Sequence, residues 1–252
     1  MRAILTGASS GVGLALAKRL SQRGCRLVLT ARRKENLDSL ADELGRDKAV
    51  VVTGDISDSG LQRTLVSTCV DTFGGIDCVI NNAGIGAIGR FDEATPERLR
   101  KVFEVNFFAV AELTRQCLGH LEQGNDSLIV NVGSVLGHRA APLKSEYSAS
   151  KFALHGFSDA LRAELASSSI EVLLASPSTI DSSFFDSCID NTGGGSGNTR
   201  SAMSPDYVAE KIVRAMVKRN HEIIIPFSGK LLVWFDRLLP GIADRIVAKF
   251  GQ

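Results

Sequence analysis

Short apolar runs rich in β-branched residues recur at 3–6, 26–30, 49–53, 78–81, 127–132, 171–176 and 222–226, and stretches with helical spacing of apolar positions lie between them. Runs of this length read as strands, and strands that alternate with helices imply parallel pairing, because a parallel connection needs a crossover long enough to hold a helix. The pattern predicts an α/β fold, a doubly wound parallel sheet of seven strands with helices on both faces. One helix is marked by its ends as well as its face. Thr95 can cap it, Pro96 suits its first turn, and Leu99, Val102, Phe103, Val110 and Leu113 form its apolar stripe. Ser204-Pro205 opens another helix in the same manner. No repeat or composition shift divides the chain, so residues 1–252 read as one domain.

That strand assignment locates a site before any motif is consulted. Open parallel sheets bind ligands beyond the carboxyl ends of their strands. Gly7 follows the first strand, Arg32 the second, Asp55 the third, Asn81 the fourth, Ser134 the fifth and Pro177 the sixth, so these residues are expected on one rim.

Two constellations on that rim carry chemistry. Gly7, Gly11 and Gly13 sit where the first strand turns into a helix, and glycines there let backbone amides approach a pyrophosphate at a helix N-terminus. Their spacing is Gly-x3-Gly-x-Gly, unlike the Gly-x-Gly-x2-Gly of the standard dinucleotide fingerprint. Ser134, Tyr147 and Lys151 form a Ser-x12-Tyr-x3-Lys set. On a helix Tyr147 and Lys151 share a face, close enough for the ammonium to favour the phenolate, and Ser134 can bond the same substrate oxygen. Each pattern alone also fits a bland reading, a tight turn without a ligand or a solvated surface pair.

Composition narrows the partners. With 44% apolar residues in 252, the chain can bury a substantial core, and a net charge of +1, from 29 basic and 28 acidic residues, gives no case for a nucleic-acid partner. The five cysteines are odd in number and lack Cys-x2-Cys spacing, which suits free thiols in a reducing compartment and offers no metal site. A strand beginning within three residues of Met1 leaves no room for a leader, and no apolar run reaches the ~20 residues of a membrane-spanning helix, so a cytoplasmic protein is expected.

The motifs together resemble the short-chain dehydrogenase/reductase family in its compact, single-domain form, a Rossmann-like fold. Thr6-Gly7-Ala8-Ser9-Ser10-Gly11-Val12-Gly13 is similar to its cofactor turn, Asn81-Asn82-Ala83-Gly84 to its NNAG motif, and Ser134, Tyr147 and Lys151 to its catalytic set, over residues 1 to about 180. The resemblance implies an oxidoreductase that reduces a ketone or aldehyde to an alcohol, or the reverse, by hydride transfer. It also implies cofactor contacts from Gly7, Ser9, Ser10, Gly11, Val12, Gly13, Asp55, Ile56, Asn82, Ala83, Gly84, Tyr147, Lys151, Pro177 and Ile180. It further implies a role for Asn106, which falls on an apolar stripe where an unsatisfied amide costs roughly 1–3 kcal/mol, as a fourth catalytic residue in a proton relay to Lys151. Asn81 divides evenly between lining the site and steadying its strand.

Thr30 and Ala31 stand where an acidic residue would bind the ribose 2′-hydroxyl, and Arg32 and Arg33 follow, which favours NADP(H) over NAD(H), with Arg32 the favoured contact of the two. Pro177-Ser178 departs from the family's usual Pro-Gly, and Ser182 takes the place of a common threonine contact. His120, His138 and His155 lack metal-ligand spacing or an obvious partner and are assigned to structure. Residues 179–203, with Phe184, Phe185 and Gly193 to Gly197, read as a loop over an apolar substrate. From 229 to 252 the tail is rich in large apolar residues, which favours a subunit interface in a homodimer or homotetramer, or a pocket flap, over contact with a membrane surface through Lys230, Arg237, Arg245 and Lys249. A non-catalytic NADP-binding regulatory protein, or an epimerase or dehydratase, are the alternatives on the same fold.

Overall fold

The computed structural model describes residues 1–124, 126–181, 188–189 and 202–249. Among them, strands and helices alternate: β1 (Arg2–Thr6), α1 (Gly11–Gln22), β2 (Arg26–Ala31), α2 (Lys34–Leu44), β3 (Ala49–Thr53), α3 (Ser59–Phe73) and β4 (Cys78–Asn81). After these come α4 (Pro96–Phe103), a π turn (Glu104–Phe108), α5 (Ala109–Glu122), β5 (Leu128–Val132), a 3-10 turn (Val135–Gly137), α6 (Ser145–Glu164) and β6 (Glu171–Pro177). The chain continues with α7 (Pro205–Val217), β7 (Glu222–Ile225), α8 (Phe227–Leu238) and α9 (Pro240–Ala248).

All pairings are parallel, in the order β3-β2-β1-β4-β5-β6-β7. The order reverses between β1 and β4, and the crevice beyond their carboxyl ends is where such a sheet takes a ligand. Successive strand residues face opposite layers. Ala3, Leu5, Leu27 and Leu29 pack with Leu16, Leu20, Leu37 and Ile212 on one face. Ile4, Val28, Val79 and Ile129 pack with Leu65, Leu113, Leu121 and Leu161 on the other. Both faces are covered by helices, which explains why the strands read as continuous apolar runs.

The expected strands are all present, with ends moved by a residue. β5 begins at Leu128 because Ser127 turns its hydroxyl to the Leu121 carbonyl, and β7 stops at Ile225, leaving Pro226 to precede α8. Thr95 and Ser204 cap α4 and α7 as read, accepting from the amides of Arg98 and Tyr207. The helix expected from residue 96 is instead two helices joined by the π turn. One extra residue in that turn shifts the phase of the sequence pattern, so the buried positions pass from Arg98 and Val102 to Val105, Asn106, Ala109, Val110 and Leu113. No helix among the described residues is long and apolar enough to cross a membrane. Ser182, Phe184, Phe185 and the glycine-rich run 193–197 lie outside the described residues.

Candidate active site

The turn from β1 into α1 is held from behind by β4. Asn82 donates from Nδ2 to the carbonyls of Thr6 at 2.9 Å and Gly7 at 3.2 Å, while Thr6 Oγ1 accepts from the amides of Asn82 and Ala83 at 3.0 and 2.9 Å. Gly7 has φ +69, in the left-handed region that a side chain disfavours. A Cβ on Gly13 would lie 2.1 Å from the Gly7 carbonyl oxygen, so only glycine lets α1 start this close to the strand. Ser10, the N-cap of α1, makes no side-chain capping bond, and Ser10, Gly11, Val12 and Gly13 all line the cavity. Uncapped first-turn amides are a site for an anion such as a diphosphate.

Next along the rim, Arg33 reaches back over this turn, with Nη2 3.3 Å from Ser9 Oγ, and Asn36 Nδ2 donates to the Ser9 carbonyl at 3.2 Å. Arg32 also lines the cavity. Arg33 is thus the arginine folded against the glycine turn. Asp55 accepts from Ser57 N and Oγ at 3.0 and 2.7 Å, and its other oxygen lies 3.3 Å from Lys101 Nζ. Burial acts to raise the Asp55 carboxyl, but the Ser57 and Lys101 contacts outweigh it and hold it below the ordinary range. Ile56 follows it on the cavity wall.

Ser134, Tyr147 and Lys151 meet on the β5 side. Ser134 lies just past β5 and accepts from Leu136 N at 3.1 Å. Lys151, 5% exposed, donates from Nζ to the Val132 carbonyl at 2.9 Å and lies 5.8 Å from the centre of the Tyr147 ring. Burial pushes the Tyr147 hydroxyl up to about 12, against a hydrogen bond with Ser134 that pulls it down, and burial brings Lys151 down to about 8. Desolvation is the main influence on both groups, where the sequence emphasised the lysine's charge on the tyrosine.

Asn106 sits in the π turn with no exposure. Its Oδ1 accepts from Ile85 N at 2.9 Å, and its Nδ2 donates to Ile85 O and Ser150 Oγ, both at 3.0 Å. The amide pins the segment after Asn82-Ala83-Gly84 against α6, the helix that carries Tyr147 and Lys151. Asn81 resolves to a structural role. Its amide donates to Thr114 Oγ1 and Asn131 Oδ1 at 3.1 and 2.9 Å, and Asn131 donates on to Ser158, a buried polar chain tying β4 and β5 to α5 and α6.

One cavity of about 890 Å³ gathers the sequence-predicted residues. Gly7 through Pro177 and Ile180 line it, as do Ser134, Tyr147 and Lys151, and Asn106 lies behind its wall. Ser178 does not need a glycine's freedom: it is not among the residues with positive φ, and its N–H donates to Ile225 O at 2.7 Å. The cavity also has walls that motif reading missed, among them Ile85, Ala87, Ile88, Leu136, Cys188, Leu232 and Val247. Leu232 and Val247 belong to α8 and α9, so the tail covers part of the cavity. Arg139, also on the wall, fastens it there through Asp236 at 2.8 Å and Asp244 at 2.7 Å. Phe227, Leu231, Trp234, Leu238 and Ile242 on these helices remain exposed.

Two of the three histidines do have partners, contrary to the sequence expectation. His138 Nε2 lies 3.0 Å from Ser176 Oγ and 3.2 Å from Glu222, and its ring meets that of His155 edge to face with centres 4.3 Å apart. Burial, with the charges of His155 and Arg237, brings His138 down to about 4 and keeps it neutral.

The sequence matches the short chain dehydrogenase family over residues 1–193. The protein belongs to the short-chain dehydrogenase/reductase family. It is similar to "Dehydrogenase/reductase SDR family protein 7-like" of Anopheles gambiae, 33% identical, with 99% of this chain and 82% of that protein covered. Among solved structures, this oxidoreductase resembles the alcohol dehydrogenase of Thermococcus sibiricus complexed with 5-hydroxy-NADP, at TM-score 0.78 and 26% identity, covering 88% of this chain and 94% of that one. It also resembles the 3-ketoacyl-(acyl-carrier-protein) reductase of Brucella melitensis complexed with NADH, at TM-score 0.79 and 27% identity, covering 88% and 95%. The seven-stranded Rossmann-like sheet is that of the family.

Proposed function

We propose that this short-chain dehydrogenase/reductase reduces an apolar ketone or aldehyde to the alcohol with NADPH. The observation that carries the reading is the convergence of Ser134, Tyr147 and Lys151 on the same cavity as the uncapped N-terminus of α1. Structural neighbours bound to NADP and NADH support a nicotinamide cofactor, and Arg32 and Arg33 beside Ser9 support the phosphorylated form. The residues fit that group: first-turn amides of α1 would hold the diphosphate, the arginines the 2′-phosphate, Asp55 and Ile56 the adenine, and Lys151 the nicotinamide ribose. When bound, NADPH supplies the hydride to the carbonyl carbon.

The side chains do the rest. Ser134 holds the carbonyl oxygen by a hydrogen bond. Tyr147, raised to about 12, keeps its proton at neutral pH and delivers it as the oxygen gains charge, which suits reduction. Lys151, as the cation, favours the tyrosinate left behind, and Asn106 keeps α6 and the 84–85 segment in register for proton return. Ile85, Ala87, Ile88 and Leu136 in the cavity wall support an apolar substrate.

The test is NADPH consumption against carbonyls of graded size, with Tyr147→Phe lowering turnover by about 10²–10⁴-fold. Nucleotide binding without turnover would favour a regulatory protein instead. Because Lys151 is charged only below about 8, reduction should decline as pH rises past that value, and a rate rising through pH 9 would remove the lysine from this role. In this reading the exposed tail face forms a subunit contact, checked by light scattering with chromatography, and cosedimentation with vesicles would reassign it to a membrane surface. The free cysteines among the described residues support a reducing, cytoplasmic setting.

A further inference from the structure

Behind the wall that carries Ser134, three elements bring nitrogen and oxygen donors together outside the cavity. His138 follows the 3-10 turn, His155 lies on α6 one turn beyond Lys151, and Glu222 opens β7. One donor atom from each lies within 4.8 Å of the others. His138 Nε2 is 3.2 Å from Glu222 Oε1, and His155 Nε2 is 4.0 Å from that oxygen and 3.3 Å from Asp159 Oδ2. Ligands held at ~2.0–2.2 Å around a tetrahedral zinc ion stand about 3.3–3.6 Å apart, so the His138–Glu222 and His155–Asp159 separations already match, while His155 and Glu222 must close in from 4.0 Å.

The hydrogen bonding points the same way. His155 Nδ1 lies 3.3 Å from the Gly137 carbonyl, which can only accept, so Nδ1 carries the proton and Nε2 turns to the carboxylates. Nε2 then faces the Asp159 and Glu222 carboxylates, an arrangement that either a second ring proton or a metal ion satisfies. A carbonyl holding the far nitrogen is also how metal-bound histidines are oriented. His138 Nε2 faces Glu222 and the Ser176 hydroxyl. The two ring centres are 4.3 Å apart, close enough for one divalent ion to serve both. Arg237 adds a positive charge on the His138 side, against the two carboxylates of Glu222 and Asp159. The His138 side chain is 1% exposed while Glu222 and Asp159 are 40% and 56% exposed, so the rings form a floor and the carboxylates an open mouth for the ion.

We propose that His138, His155 and Glu222, with Asp159 at the edge, form a zinc site separate from the cofactor cavity. Mixed imidazole and carboxylate donors suit zinc over magnesium or calcium, which take oxygen ligands. An ion there would tie the turn after Ser134 to α6 and β7, and so stiffen two of the three elements that hold the catalytic set.

The experiment titrates chelator-treated full-length protein with Co²⁺ and Zn²⁺, following visible absorption, equilibrium dialysis and thermal denaturation. One ion per chain is expected, with a rise in Tm and no thiolate-to-cobalt band. Affinity should fall by about tenfold or more in Glu222→Gln and in His155→Ala, both partly exposed positions whose folding circular dichroism verifies. Failure of the wild type to saturate would overturn the proposal. So would binding unchanged in both variants, or a thiolate signature showing that one of the five cysteines takes the metal.

Discussion

The two walls of the cavity are built by different means. On the β1 to β4 side, backbone does the work: a strand turns sharply into a helix, glycines let the chain pass close to itself, and Asn82 and Thr6 lock that turn by hydrogen bonds to main-chain groups. On the β5 to β7 side, side chains do it. Arg139 clasps α8 and α9, Arg98 pairs with Glu146 beside Tyr147, and apolar residues from distant elements fill the wall. A ligand that always presents the same diphosphate needs fixed backbone donors, whereas a substrate pocket can vary through side chains on a constant frame.

That contrast can be broken first at the chemistry. The Tyr147→Phe loss in turnover described above should leave nucleotide affinity within a few-fold, because the substrate-side group is removed while the β1 wall stays intact. Next in size is Glu146→Ala. Arg98 and Glu146 form a two-pronged pair at 2.9 and 2.8 Å with side chains 2% and 1% exposed, so removing the carboxylate takes a close counter-charge from a buried guanidinium. Urea denaturation should show a loss of about 3–5 kcal/mol. Gly13→Ala probes the other wall. Its Cβ meets the Gly7 carbonyl and should cost about 1–3 kcal/mol, together with weaker NADPH binding measured by fluorescence titration. The mildest test is Arg33→Ala, compared with Arg32→Ala. NADPH affinity should fall about tenfold while NADH affinity holds, and Arg33, nearer Ser9, should have the larger effect.

The same division explains what could be read from sequence. The β1 wall is local: Thr6, Gly7, Gly11 and Gly13 fall within eight residues, and the strand and helix around them announce themselves by apolar spacing. Tyr147 and Lys151 share one helix face and were equally legible. Arg98 and Glu146 stand 48 positions apart, and Arg139 and Asp244 stand 105 apart, so nothing in their spacing marks them as partners. His138, His155 and Glu222 come from three elements whose neighbour relations exist only once β5, β6 and β7 are side by side. Asn106 was half legible. A polar residue on an apolar stripe signalled a special position, but the helix phase beyond it could not be followed without knowing that an extra residue had been admitted.

That extra residue has a consequence for how the gene can change. A π turn absorbs its additional residue within itself, so the helices on either side keep the faces they would have in an unbroken α-helix. Deleting one position within Glu104–Phe108 would therefore leave Leu113, Cys117 and Leu121 against the sheet, and would give up only what the turn itself places, the Asn106 amide held between Ile85 and Ser150. The stretch can shorten by one residue and still fold, but not without losing that tie between the 84–85 segment and α6.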